Sequence, residues 1–463
     1  IEDRMVDIFT TGYGGLWLPP PNRADSGGLS VGYDTFDRFD FGEARNETLY
    51  GTEDYFRRLV DRSHQAGLRV HTDLILNHNG FRDSSTPGFE AQGDYPGFVL
   101  SLPNDPDGDF HGRFETGEEL FRLSGLIDIA QEKNHQFIRH PVADDPLNIP
   151  SGSIHDQPDP RNARFYPDQD LGGTQVWHPG LNQNVTLYDF NTSSPLAGDA
   201  VPDNATGLLM RNIRWMIQDM GVDGFRLDAG RHFPRWVLDF FDQASFRAKQ
   251  TPLLDGSPDH VFSFTETGYG SNAFLQDFIK KDIDNNNLGQ VGGNRDALDF
   301  NLFGAMVNHL TDNGVANDWR VITGASIDHN DGFGDDGSQG VAFARSHDEL
   351  GPYLEHVAHA YMLMRPGNAI VYFNAKQFGD GRDFPRGGQD DALGGLYGED
   401  ITKLVGIRNS HGRGNYLPRT PLGDEKELLV YEREASAIVA LNNRLDNGFD
   451  QRVVQTAFRP GTP

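Results

Sequence analysis

The chain has 463 residues, 37% of them apolar, no cysteine and a formal charge of −28 at pH 7. Lack of cysteine excludes disulfides, thiol nucleophiles and Cys-ligated zinc, while the acidity disfavours nucleic acid and anionic membranes, which need cationic patches. No uncharged apolar run approaches the ~18 residues of a membrane-spanning helix.

Taken in chain order, strand and helix alternate for most of the length. Ile1 to Phe9 reads as the middle of an amphipathic helix with Met5, Ile8 and Phe9 on one face, so a strand and any targeting segment are expected ahead of it. Gly15 to Pro19 is a short apolar strand. Thr52 is a suitable N-cap for a helix that places Phe56, Leu59 and Val60 on one face and stops at Gly67, before a strand over 68–76. Leu209, Ile213, Met216 and Met220 form a helical stripe ending at Gly221, which leads into a strand over 222–227. A helix over 236–241 and a strand over 261–264 follow, then a helix near 274–279 and a strand around 298–300. A helix over 353–364, a strand over 369–373 and a helix over 401–407 close the series. Such repetition predicts a parallel sheet with helical crossovers, with about seven strands of the eight that a closed barrel takes.

Two stretches break the rhythm. Residues 79–185 are rich in Gly, Pro, Asp and His with little periodicity, and a structureless loop of that length is implausible, so they read as an inserted irregular domain. From 421 the runs Leu428 to Tyr431 and Ala437 to Leu441 carry no helices and read as the start of an antiparallel domain ending at Pro463. Barrel parts are expected at 1–78 and 186–420. The Asp/Gly-rich tract 328–337 is either a solvated turn or a cation site.

The chemistry lies in apolar runs that end in charged groups, as buried parallel strands do where they open onto an active-site face. These are Asp73-Leu-Ile-Leu-Asn77-His78, Gly224-Phe-Arg226-Leu-Asp228-Ala-Gly-Arg231-His232, Phe264-Thr-Glu266 and Phe343-Ala-Arg-Ser-His347-Asp348. Alternation along a strand puts Arg226 and Asp228 on one face, and an adjacent guanidinium favours an ionised, nucleophilic Asp228. Glu266 ends the next strand, where burial and a neighbouring carboxylate suit a general acid. Asp348 with His347 could grip sugar hydroxyls. Two carboxyl groups so placed are what retaining glycoside hydrolysis requires.

Together these segments resemble the conserved regions of the α-amylase family of glycoside hydrolases (family 13). The resemblance implies an α/β fold, a (β/α)₈ TIM barrel with an irregular domain B inserted after strand 3 and a C-terminal antiparallel β domain, here truncated. It implies Asp228 as nucleophile, Glu266 as acid/base and Asp348 as transition-state stabiliser. His78, Arg226 and His347 would contact the sugar or the nucleophile, and Tyr33, in a segment similar to the family's glycine–tyrosine loop, would stack on the sugar. A structural Ca²⁺ is implied as cofactor, with Asn77, with Asp189 from the segment Leu187 to Asn191 (similar to a fifth family motif), and with the His232 carbonyl as ligands; hard oxygens are what that ion takes. Arg231 stands where the family usually has Lys before the histidine, which leaves the leaving-group contacts open. Thr265 and Ser346 are also not the commonest choices. The expected activity is endo-acting cleavage of α-1,4-glucosidic bonds in starch-like glucans by a monomeric, extracellular or periplasmic enzyme. The alternatives are an α-glucosidase or transglycosylase with the same acids and, more remotely, a non-catalytic glucan-binding relative, against which the presence of all three acids argues.

Overall fold

A computed structural model describes residues 1–2, 5–113, 123, 125–136, 173–178, 182–188, 204–246, 248, 251–252, 258–283, 292–312, 318–372, 401–421 and 425–461. Its centre is a parallel sheet whose spatial order follows chain order: β1 (Gly15–Leu18), β2 (Arg69–Leu74), β3 (Gly224–Leu227), β4 (Phe262–Thr265) and β5 (Arg295–Ala297). A parallel bridge between Leu298 and Val341 carries the order on to β6 (Ala342–Phe343), which pairs in parallel with β7 (Ala369–Ile370). Among the described residues β7 and β1 do not pair. Winding in one sense, with every strand parallel to the last, is the pattern of an α/β barrel.

The crossover helices form where the sequence caps them. In α2 (Glu53–Gln65) Thr52 accepts the Tyr55 N–H, Glu53 and Asp54 occupy the positive first turn, and Gly67 ends the helix at φ +77°. Asn204 caps α3 (Ala205–Gln218) in the same way through the Gly207 N–H. The α3 stripe of Leu209, Ile213 and Met216 is buried against β2, β3 and α4 (Val237–Ser245), within a core that also holds Val70, Phe225 and Trp215. A second core joins α5 (Phe300–His309), α6 (Glu355–Met364) and α7 (Thr402–His411) to the antiparallel sheet of Tyr416–Pro418, Leu428–Arg433 and Ala437–Asn442, through Trp319, Tyr361 and Tyr431.

Some expectations shift. The strand expected at 298–300 lies at 295–297, because Asp299 accepts the Leu302 N–H and starts α5 at Phe300. The N-terminal helix α1 (Met5–Thr11) buries Met5 but leaves Phe9 52% exposed, so the apolar face read from spacing does not pack as one. The described parts of 79–185 include one antiparallel pair, Phe110–Arg113 with Ile127–Ile129, and most of a hairpin, Gly173–His178 with Gln183–Tyr188, that runs three residues past the expected boundary.

Candidate active site

Strand alternation brings Arg226 and Asp228 to the same face of β3, and the register sets Asp73 of β2 and Phe264 of β4 beside Arg226. Arg226 is almost wholly buried, and its Nη1 lies 2.5 Å from Asp228 Oδ1 and 2.9 Å from Asp73 Oδ2. Its Nη2 lies 2.8 Å from Glu266 Oε2. One guanidinium therefore holds three carboxylates from three neighbouring strands. Burial alone would disfavour that cation, but Asp73, Asp228 and Glu266 together push its pKa well above the ordinary value.

The turn after β3 fixes Glu266 from the other side. Ala229 has φ +50°, a left-handed conformation that costs a non-glycine residue strain, and its N–H donates to Glu266 Oε2 at 3.1 Å. Gly230 N–H donates to the Glu266 carbonyl, and a side chain at 230 would meet that carbonyl at 2.8 Å. Asp228 and Glu266 are thus held to the two terminal nitrogens of one guanidinium.

The expectation that Arg226 holds Asp228 ionised at neutral pH needs correction. Burial pushes the Asp228 pKa up to about 7, against Arg226, and Glu266 and Asp73 push the same way. A single cation divided among three acids does not offset the burial of Asp228, whose side chain is 11% exposed against 25% for Glu266. Asp73, to which the sequence argument gave no role, is a full member of this cluster. It accepts hydrogen bonds from the Tyr33 hydroxyl and the Trp17 indole N–H, and burial raises its pKa despite Arg226 and both of these donors. The Trp17 ring also lies 5.6 Å from the Arg226 guanidinium, so it packs on the cation as well as bonding Asp73.

The loop after β6 carries His347 and Asp348. His347 Nε2 lies 3.0 Å from Asp348 Oδ2 and 3.2 Å from the Tyr33 hydroxyl, and the Tyr33 and His347 rings stack with centroids 5.8 Å apart. Burial disfavours the imidazolium of His347, but Asp348 outweighs it and the net shift is upward; His347 in turn lowers Asp348. The Asp348 side chain is 64% exposed, so it stands at the rim and reaches the buried cluster through His347. The uncommon Ser346 has a job here: its hydroxyl accepts the N–H groups of Asp348 at 3.2 Å and Glu349 at 3.1 Å, closing the turn that presents the acid.

His78 is placed behind Tyr33, whose carbonyl accepts its Nε2–H at 3.1 Å; burial, then Arg38, lowers its pKa to about 3 and keeps it neutral. Arg231 is exposed on the rim and donates to the Tyr269 carbonyl at 3.3 Å. Asp189 lies outside the described residues. The carboxylate that meets Asn77 is Asp128, whose Oδ1 accepts the Asn77 amide at 2.6 Å. Its signal was a lone acid in the apolar run Leu126-Ile-Asp128-Ile-Ala130, which the sequence argument passed over. Asn77, Asp128 and the half-buried His232 offer the hard oxygens Ca²⁺ takes, though the amide–carboxylate contact occupies the position a bridging cation would use. Among the described residues, Asp328, Asp331 and Asp336 are also close enough to hold a cation, but Arg365 already lies 3.4 Å from Asp328 and 2.9 Å from Asp335.

A parallel α/β barrel that gathers paired acids around a buried arginine at the ends of its strands is the architecture of a barrel glycosidase. No family model matches the chain. It is 24% identical over 253 residues to the α-amylase of Geobacillus stearothermophilus, covering 52% of this chain and 42% of the relative. It is 28% identical over 228 residues to the trehalose synthase/amylase TreS of Mycobacterium tuberculosis, covering 49% of this chain and 28% of that one. The α-amylase of Geobacillus thermoleovorans, solved with acarbose, has the same fold with a TM-score of 0.58 at 17% identity, covering 96% of this chain and 79% of its own. The chain thus spans less than half the length of these two curated relatives. Its resemblance to these amylases is thus one of sequence over about half of the chain, at 24–28% identity, and of fold over nearly all of it.

Proposed function

We propose that the protein is a retaining, endo-acting α-amylase that hydrolyses α-1,4-glucosidic bonds in starch-like glucans. The observation that carries this reading is the pairing of Asp228 and Glu266 on the Arg226 guanidinium. Asp228 attacks the anomeric carbon while protonated Glu266 gives its proton to the departing glycosidic oxygen. The carboxylate of Glu266 then takes a proton from water, whose oxygen displaces Asp228 from the same carbon. Asp348 and His347, at the rim, grip hydroxyls of the sugar ring, and Tyr33 offers its ring as a wall. The α-amylase of Geobacillus thermoleovorans, which shares the fold, is complexed with acarbose, and this supports a glucan-like ligand.

Incubation with soluble starch and with maltose tests the assignment. Mixed short oligosaccharides from starch are expected, and release of glucose alone overturns endo action. A transglycosylase or α-glucosidase is the second reading, favoured by the likeness to a trehalose synthase/amylase; it predicts new linkages when maltose is the sole substrate.

Calcium belongs to the same proposal. Asn77, Asp128 and Asp189 with the His232 carbonyl are its candidate ligands, and its part would be to tie the insertion to the barrel. The proposal extends to a monomeric enzyme working outside the cytoplasm, for which light scattering of the purified protein and fractionation of the producing cells are the checks.

A further inference from the structure

We propose that Asp25 is a positioning residue: through it the insertion sets the place of Tyr33, and so the wall against which the sugar attacked by Asp228 rests. The proposal rests on the glycosidase reading above and gives the insertion a part in the reaction centre itself.

Tyr33 lies near the end of the loop 25–34, between the paired segments Arg23–Ala24 and Thr35–Asp37. The peptide that carries it is gripped at three successive carbonyls. Asn22 donates to the Gly32 carbonyl at 3.1 Å, His78 to that of Tyr33 at 3.1 Å, and the Asp25 N–H to that of Asp34 at 2.6 Å. Gly32, at φ +95° and hard against the Pro20 carbonyl, fixes the turn into Tyr33. Asn22 and His78 belong to the barrel part of the chain. Asp25 differs, because its side chain is anchored in the insertion.

The Asp25 side chain is fully enclosed. Its carboxylate accepts the Phe81 N–H at 3.1 Å and the Arg82 Nε–H at 2.6 Å, and the Tyr95 hydroxyl reaches it at 3.0 Å. All three partners come from the insertion, and all three are donors. Gly80 makes the approach possible, since a β-carbon there would collide with the carboxylate. Arg82 is held in turn, its guanidinium 3.9 Å from the centre of the Phe89 ring and 5.4 Å from that of Phe36. A carboxylate that only closed a surface loop would face water. One enclosed among donors from a separate segment transmits position, because a shift of those donors moves the Asp25 N–H and the Asp34 carbonyl with them. At the other end Tyr33 is tied into the acid cluster, where its hydroxyl donates to Asp73 and lies 3.2 Å from His347.

Asparagine in place of Asp25 keeps the shape but turns an amide NH2 toward donors, so the clasp is lost without opening a cavity. The test measures kcat/KM of the intact chain, Asp25→Asn, Tyr33→Ala and the double variant on α-glucosyl fluoride and on maltoheptaose. α-Glucosyl fluoride has one ring, which must sit at Asp228, so a loss that comes through Tyr33 is expected on both substrates. About tenfold is expected on each, the loss that a misplaced aromatic contact implies. In the Tyr33→Ala background Asp25→Asn is expected to add nothing, since two residues that act through one contact are not additive. Arg82→Lys, which keeps the charge but not the fork, should show the same pattern more weakly, and it carries the test if Asp25→Asn does not fold.

Three results overturn the proposal. Losses that multiply in the double variant mean that Asp25 only supports the fold. A loss confined to maltoheptaose means that the insertion acts on distant sugars, and no loss on either substrate means that the clasp does not reach Tyr33. If the parent chain releases no fluoride and leaves maltoheptaose intact, the glycosidase reading itself fails, a result distinct from these three, and the proposal falls with it.

Discussion

The site has two halves that are built differently. Asp73, Arg226, Asp228 and Glu266 stand at the ends of adjacent parallel strands, buried and tied to one another by direct ion pairs. His347 and Asp348 stand on a turn closed by a serine hydroxyl, with Asp348 facing solvent. The strand-borne half needs no rearrangement at the moment of reaction, which is where fixed charges contribute most to catalysis. The loop-borne half is held by the turn's own hydrogen bonds and by His347. A buried charge network beside an exposed, locally hydrogen-bonded turn is what this difference teaches.

That contrast can be broken most severely within the rigid half. Asp228→Asn and Glu266→Gln should each lower kcat by about 10⁴-fold, as removal of a residue that acts in a unit does, and steady-state starch assays check this. Arg226→Lys should lower kcat by about 10²–10³-fold and also the melting temperature, because a point charge cannot hold three buried carboxylates in a fork. In the loop-borne half, Ser346→Ala should lower kcat by about tenfold with little change in melting temperature, the loss of a turn-closing hydrogen bond. Ser346→Asn, which can close the same turn, should restore it.

The raised Asp228 pKa sharpens the contrast through pH. Attack requires the carboxylate, so kcat/KM should fall as pH drops through about 7, well above the range of an ordinary aspartate. The sign for stability is opposite. Between the ordinary aspartate pKa and about 7 the folded chain holds more protons at Asp228 than the unfolded chain does, so this group's contribution to stability is lost as pH rises. Asp228→Asn should therefore melt higher than the parent at pH 8, with the gap closing by pH 4, in paired thermal scans. The smallest expected effect is at the Asn77–Asp128 contact: if calcium bridges it, EDTA should lower the melting temperature by a few degrees in the parent and leave Asp128→Asn unaffected.

How legible the site was in sequence followed from distance along the chain. Arg226 and Asp228 could be paired from strand alternation alone, and Glu266 from its place one strand later. Asp73 could not, because its partner is 153 residues away and only register brings them together. Asp128 was hidden for the same reason, since its contact with Asn77 crosses the irregular insertion. Burial inverted one electrostatic argument, because the sequence shows that an arginine neighbours Asp228 but not that it also serves two other acids. In the fold, capped helices were readable, whereas β5 was misplaced by a few residues because Leu298 and Phe300 are as apolar as a strand while Asp299 acts as a helix cap.

The central claim is that Asp228 and Glu266 lie close enough for the carboxylate itself to attack the sugar. Proton NMR of the first-formed reducing ends during maltoheptaose cleavage reads this directly. The account predicts α-anomers that only later mutarotate; β-anomers as the first product would mean that water attacks in place of Asp228, and would contradict it.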